Sequence, residues 1–199
     1  GACATHASTH PAAARKIPGL GGKMKIKIAS VGEPVLRDAA RQLRRDEIGS
    51  DRIRQLIEDM RETLADAPDV GLAAPQIGED VQLVIVEDKA EYQENLTPEE
   101  LAERERHPVS FRVLINPEIE LLSPPDISFF EGCLSRPGFM AVVPRARTVR
   151  VRALTETGNP VQIEAEGWYA RILQHEIGHL KGTLYIDPMC RRSFSSVDH

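Results

Sequence analysis

Long apolar runs are missing from this chain, and with them any segment able to cross a membrane as a helix. An excess of basic charge is missing too. The formal net charge is −5, which argues against a broad phosphate-binding face and against specific nucleic-acid recognition. Cysteine is scarce, with Cys3, Cys133 and Cys190 too few and too scattered for a disulfide framework. A reducing compartment follows, in which a functional cysteine serves as a ligand or a nucleophile. Aromatic residues make up 5% of the chain, and Trp168 is the one tryptophan. Internal repeats and low-complexity tracts are absent. What remains, 199 residues with 41% hydrophobic and 28% charged, is enough to build one globular domain with a real core.

The charge is uneven. Residues 1–23 hold Arg15, Lys16 and Lys23 and no acid, a formal +3, so the remainder carries −8. This Ala-, Gly- and Thr-rich segment has no apolar stretch of the secretory kind. It reads as a flexible tail outside the fold, whether a tag, a leader remnant or a native extension, and residues 24–199 as a single catalytic domain. The compartment is correspondingly cytoplasmic, or an organelle matrix or stroma if the tail is what remains of a leader.

From Met24 onward the pattern is regular. Lys25–Ala29 alternates weakly, as a short strand would. Ser50 and Asp51 cap a helix whose Ile53, Leu56, Ile57, Met60 and Leu64 share one face, and Pro68 ends it near Ala65–Ala67. Strands are expected over Val81–Glu87, Phe111–Ile115, Ile127–Phe130 and Ala141–Val143. Val149–Leu154 and Val161–Ala165 form a hairpin turned by Thr157-Gly158-Asn159. The strongly charged stretch 88–110 reads as a solvated surface insertion. A last helix runs from about Trp168 to Lys181, with Gly182 at the stop position. Strands in runs with helices set apart define an α+β fold: small antiparallel or mixed sheets packed around a C-terminal helix.

That helix carries the chemistry. His175-Glu176-Ile177-Gly178-His179 is an HExxH motif in a helical setting. Residues four apart stack one turn above each other, so both imidazoles can reach one metal ion and Glu176 can reach a water that the metal activates. Two histidines do not hold a metal alone, and the third ligand decides the class. The longer HExxHxxGxxH pattern matches as far as Gly182 but has Tyr185 where its last histidine belongs. No glutamate follows Glu176, which leaves only Asp187 and Asp198 downstream. Both common protease solutions are therefore poor, and the ligand should come from upstream. Cys133, in Glu131-Gly132-Cys133-Leu134-Ser135, is the obvious candidate, because Cys/His/His leaves a fourth position open. A closed structural zinc site completed by Cys190 is the rival, disfavoured by a glutamate set between two ligands. A third cluster, Gly71-Leu72-Ala73-Ala74-Pro75-Gln76-Ile77-Gly78, is small and apolar with one amide, suited to backbone passing close to a substrate and to a Gln76 donor facing an oxyanion.

Taken together, GLAAPQIG, EGCLS and QHEIGHL, in this order and spacing and preceded by Gly32-x-Pro34-x-Leu36-Arg37, resemble the three motifs of the peptide deformylase family over residues 28–190. The approach through Trp168 to the helix and the charged insertion look most like its organellar, type 1 branch. The resemblance implies metal-dependent hydrolysis of the N-formyl group of N-formylmethionyl nascent peptides, releasing formate, with a transient ribosome contact. It implies that Cys133, His175 and His179 bind one divalent metal, Fe(II) natively, with Zn, Ni or Co as substitutes. Glu176 is implied as the general base and then acid, and Gln76 with the Leu134 N–H as oxyanion donors. Gly71 is implied to bond the peptide backbone, with Val70, Phe129, Trp168 and Ile172 lining an apolar methionine pocket. Glu131 and Arg145 are implied as a pair supporting the Cys133 loop. Three positions depart from the family pattern: Asp69 replaces a glycine, Gly178 an aspartate, and Met140 an arginine common in bacterial members. None removes a catalytic group.

Overall fold

The computed structural model describes residues 26–67 and 69–198, so the N-terminal tail lies outside the described residues. Helix α1, Asp51–Ala65, starts where the Ser50 side chain accepts from the Ile53 N–H, and it buries the five apolar residues expected of it. A five-stranded antiparallel sheet follows the order β1 (Gly71–Ala73), β2 (Leu83–Asp88), β3 (Val109–Leu121), β6 (Thr148–Leu154), β7 (Pro160–Glu166). A second sheet pairs β4 (Ile127–Glu131) with β5 (Phe139–Arg145) and the short β8 (Ser195–Ser196). Helix α3, Gly167–Leu180, packs against both, and α2, Pro98–Glu103, sits in the charged stretch.

The near-continuous apolar run of β2 has a direct cause. Leu83 and Ile85 pack with Ile53, Ile57 and Met60 of α1, while Val84 and Val86 pack with Ile172, Leu173 and Ile177 of α3. Alternate side chains thus meet opposite helices, and both faces of the strand are core. Each fully buried aliphatic side chain contributes roughly 1.5–3 kcal/mol relative to exposure, so α3 is anchored before any polar contact is made. Polar bonds then fix its rotation. Arg171 donates to the carbonyls of Val143 (2.9 Å) and Ile127 (2.6 Å), and Gln174 exchanges hydrogen bonds with the backbone of Ala146. Past its end Gly182 takes φ +69°, and a Cβ there would run into the carbonyl of Arg37, so the stop residue has to be glycine on two counts.

Two expectations need correction. Residues 26–29 form no strand; instead the Ala29 N–H donates to the Gln76 carbonyl and the Val31 N–H to that of Ser135, tying this segment to two motif loops. Strand β3 does not stop at Ile115. It passes through a bulge at Asn116, φ +50°, whose side chain bonds both the N–H and the carbonyl of Leu43 at 2.8 Å, and it resumes pairing with β6 at Glu118.

Candidate metal centre

The helical spacing of HExxH sets the ring centroids of His175 and His179 5.1 Å apart. The loop after β4 delivers Cys133, whose Sγ lies 3.3 Å from His179 Nε2. One ligand atom from each of Cys133, His175 and His179 lies within 4.8 Å of the others, the only such group among the described residues. Asp187 is spent on Arg37 (2.6 Å) and on the Leu184 N–H (2.7 Å). Tyr185, where a third histidine would stand, stacks on His175 at 6.3 Å and donates to the Phe139 carbonyl. Cys190 is exposed and outside the group.

A metal fits these residues. His175 Nδ1 is occupied by Glu131 at 3.0 Å, which leaves Nε2 as its ligand atom. Glu131 is held in turn by Arg145 through two bonds (2.9 and 2.8 Å) and by Arg171 at 2.6 Å. Although burial raises the Glu131 carboxyl, the bonds from Arg145 and His175 hold it far below the usual carboxylate range. Glu176 Oε2 is buried with no hydrogen-bond partner among the described residues, an orphan in a site that needs a further group. A soft thiolate with two imidazoles is a donor set for Zn or Fe, and three protein ligands leave a position open.

Glu176 is 3% exposed, and burial pushes its carboxyl up to about 8. A Cβ on Gly71 would come within 2.6 Å of Glu176 Oε1, so a larger residue in β1 would have to displace the carboxyl. Gln76, 1% exposed, accepts from the Ala73 N–H at 2.8 Å through Oε1. Its Nε2 is thereby aimed at Cys133 Sγ and Ser135 Oγ, each 3.5 Å away. Leu134 follows Cys133 in a turn closed by the Arg136 N–H on the Cys133 carbonyl at 2.9 Å.

A cleft of about 110 Å³ opens on His175 and Glu176 and is walled by Val70, Trp168 and Ile172, three of the four expected pocket residues. Phe129 stands elsewhere: it meets Trp168 edge-on at 6.1 Å and lines the neighbouring cavity, while Phe130 lines the cleft. In a strand successive side chains point to opposite faces, so choosing Phe129 over its neighbour needed the strand's phase. Sequence reasoning gave no role to Arg171, which lines the cleft, and treated Asp69, also in the lining, only as a departure from the family pattern that puts a negative charge at the cleft mouth. Burial raises the Asp69 carboxyl, and one bond from Arg171 supplies Glu131 with its second guanidinium. An arginine on the buried face of α3 was the available signal.

Two histidines one helical turn apart, an upstream cysteine and a buried glutamate beside the first histidine are an arrangement suited to a metallohydrolase. Comparison with known proteins narrows the class. The polypeptide deformylase family matches residues 25–194. The chloroplastic peptide deformylase 1A of Solanum lycopersicum is 43% identical over 184 residues, which cover 91% of this chain and 66% of that protein. Peptide deformylase 3 of Streptomyces avermitilis is 42% identical, covering 96% of this chain and 84% of that one. A crystal structure of a class I type b peptide deformylase from Acinetobacter baumannii with Met-Ala-Ser bound superposes with a TM-score of 0.71 at 32% identity, covering 81% of this chain and 96% of the other. The chain belongs to the polypeptide deformylase family, metal-dependent hydrolases that remove the N-formyl group from nascent peptides.

Proposed function

We propose that this chain deformylates N-formylmethionyl peptides at the Cys133/His175/His179 centre, with Glu176 as its proton-transfer group. The observation that carries the reading is the placement of Glu176: a buried carboxyl with one unpartnered oxygen, on the helix of the two histidines and against Gly71 of β1. Cys133, His175 and His179 would hold one divalent metal, Fe(II) natively with Zn, Ni or Co as substitutes, and that metal would supply Lewis-acid activation. Glu176 takes the proton from the attacking water and returns it to the leaving amine. The Gln76 amide, fixed by its bond from Ala73, and the Leu134 N–H donate to the developing oxyanion.

Among the described residues strand β1 pairs only with β2, which leaves its other edge for a peptide bonding to Gly71. The methionine side chain enters the cleft of Val70, Trp168 and Ile172, with Phe129 behind Trp168. The Met-Ala-Ser bound by the Acinetobacter baumannii relative supports a methionyl peptide as the ligand class. A transient contact with the ribosome places the chain at its substrate, in a bacterial cytoplasm or, as for the chloroplastic relative, in an organelle. No described helix is long and apolar enough to cross a membrane. Formate release from formyl-Met-Ala-Ser by anaerobic Fe(II)-loaded protein tests the reading against Glu176→Gln. Activity lost with metal retained supports it, and metal-replete wild type that releases no formate rejects it.

A further inference from the structure

The charged stretch between β2 and β3 is only partly the solvated surface its composition implies. Helix α2 buries nothing, yet the residues that follow it dock tightly. At Gly167, φ +59°, a Cβ would collide with the Cβ of Glu105 and come within 2.9 Å of the Arg104 carbonyl, so the insertion backbone rests directly on the first residue of α3. Arg147 donates to Glu105 at 2.6 Å. Arg106 donates twice to Asp88, at 2.8 and 2.9 Å, and Asp88 is 1% exposed at the end of β2. This bidentate pair fixes the guanidinium as one hydrogen bond could not. The Arg106 guanidinium lies 5.4 Å and that of Arg104 5.3 Å from the centre of the Trp168 ring, within cation–π range.

The indole needs this restraint, because space lies on both sides of it. Trp168 and Arg171 line the cleft that opens on His175 and also a second cavity of about 210 Å³, bounded by Glu103, Glu105 and Phe129. The indole N–H is buried without a hydrogen-bond partner among the described residues, so no bond at Nε1 locates the ring. We propose that residues 89–107 are a specificity element of the site, in which Arg106, clamped by Asp88, positions Trp168 as the far wall of the methionine pocket. Without the clamp the ring can move into the second cavity, and the pocket becomes larger and less selective. Arg106 is thus a positioning residue, and its role rests on the deformylase reading above.

Trp168 being the sole tryptophan, its emission reports the wall directly. The test compares metal-loaded wild type with Arg106→Ala on formyl-Met-Ala-Ser and formyl-Phe-Ala-Ser, with folding checked by circular dichroism. In the variant, KM for the methionine substrate is expected to rise about fivefold with kcat within about twofold, the pattern of lost uniform binding. The preference for methionine over phenylalanine falls by a similar factor, and the tryptophan emission shifts to the red. If Arg106→Ala does not fold, Asp88→Asn, which keeps the shape and removes the charge of the clamp, is expected to change the same readouts in the same direction. A folded variant with unchanged KM, or with altered KM but unchanged emission, overturns the proposal. Absence of formate from wild type overturns the deformylase reading instead.

Discussion

The Glu176 carboxyl lies so close to Gly71 that a single added carbon at residue 71 would sit 2.6 Å from its Oε1 and 2.7 Å from its Cδ. Two motifs more than a hundred residues apart are therefore shaped against each other: the glycine edge that would take the peptide backbone also fixes where the carboxyl can be.

Gly71→Ala follows from that contact. The backbone at Gly71 is extended and paired with Val86, so alanine is allowed locally and the strain falls on Glu176. A displacement of about 1 Å in a reacting group can cost about a hundredfold in rate. We expect kcat/KM to fall about a hundredfold or more while metal content measured by mass spectrometry stays at one per chain. Near-normal activity would mean that Glu176 has room to move and is not held where the reaction needs it.

Much of this centre was legible in the sequence because its signals are local. HExxH states its own geometry once the segment is helical, and Cys133 stood out because no glutamate or histidine followed at the usual distances. What stayed hidden depended on distant partners. Asn116-Pro117 reads as the end of a strand, and only the two bonds from Asn116 to Leu43 turn it into a bulge that β3 passes through. Likewise Arg106 in a run of charges looks solvated until Asp88, buried at the end of β2, is seen to hold it. Phe129 and Phe130 are alike in sequence, and the strand's phase alone separates cavity from cleft.

Glu131 joins Arg145, Arg171 and His175 in one buried network, and its removal leaves two guanidiniums without their anion. Breaking a buried ion pair from one side costs about 3–5 kcal/mol, and losing the carboxylate behind a ligating histidine weakens metal binding about 10- to 100-fold. Glu131→Gln is expected to do both, read by denaturant unfolding and by competition with a chelator. Cys133→Ala, by contrast, removes a ligand and should abolish stoichiometric metal binding with a smaller loss of stability. Full metal occupancy in the cysteine variant would remove Cys133 from the ligand set.

Gly178 lies inside helix α3, and no crowding requires a glycine there. A Cβ there would meet the Thr183 carbonyl at 3.5 Å and the Thr183 Cβ at 4.0 Å, ordinary contact distances. Glycine within a helix costs about 0.5–1 kcal/mol relative to alanine. Gly178→Ala should therefore stabilise the protein by about that amount, a rise of about 2–4 °C in Tm for a chain of this size at the upper end. Deformylation should be unchanged. A fall in Tm would mean that the Thr183 turn cannot give even slightly.

Glu47 carries the clearest pH signature outside the metal centre. Two hydrogen bonds from Arg41, each 2.9 Å, and one from the Arg44 N–H lower its carboxyl from 4.5 to about 2. A carboxyl whose folded value is depressed stabilises the fold above its unfolded value and loses that contribution as pH falls through the folded one. The Arg41 carbonyl accepts from the Gln82 N–H at 2.8 Å, so the pair braces the segment before α1 against the sheet. Wild type should thus unfold at higher denaturant than Glu47→Gln at pH 7. The gap should narrow as pH drops from 4.5 toward 2, because only the wild type has this proton to bind. Measuring both proteins side by side cancels the acid loss of metal that they share. A gap independent of pH would assign the stabilisation to the shape of the side chain rather than to its charge.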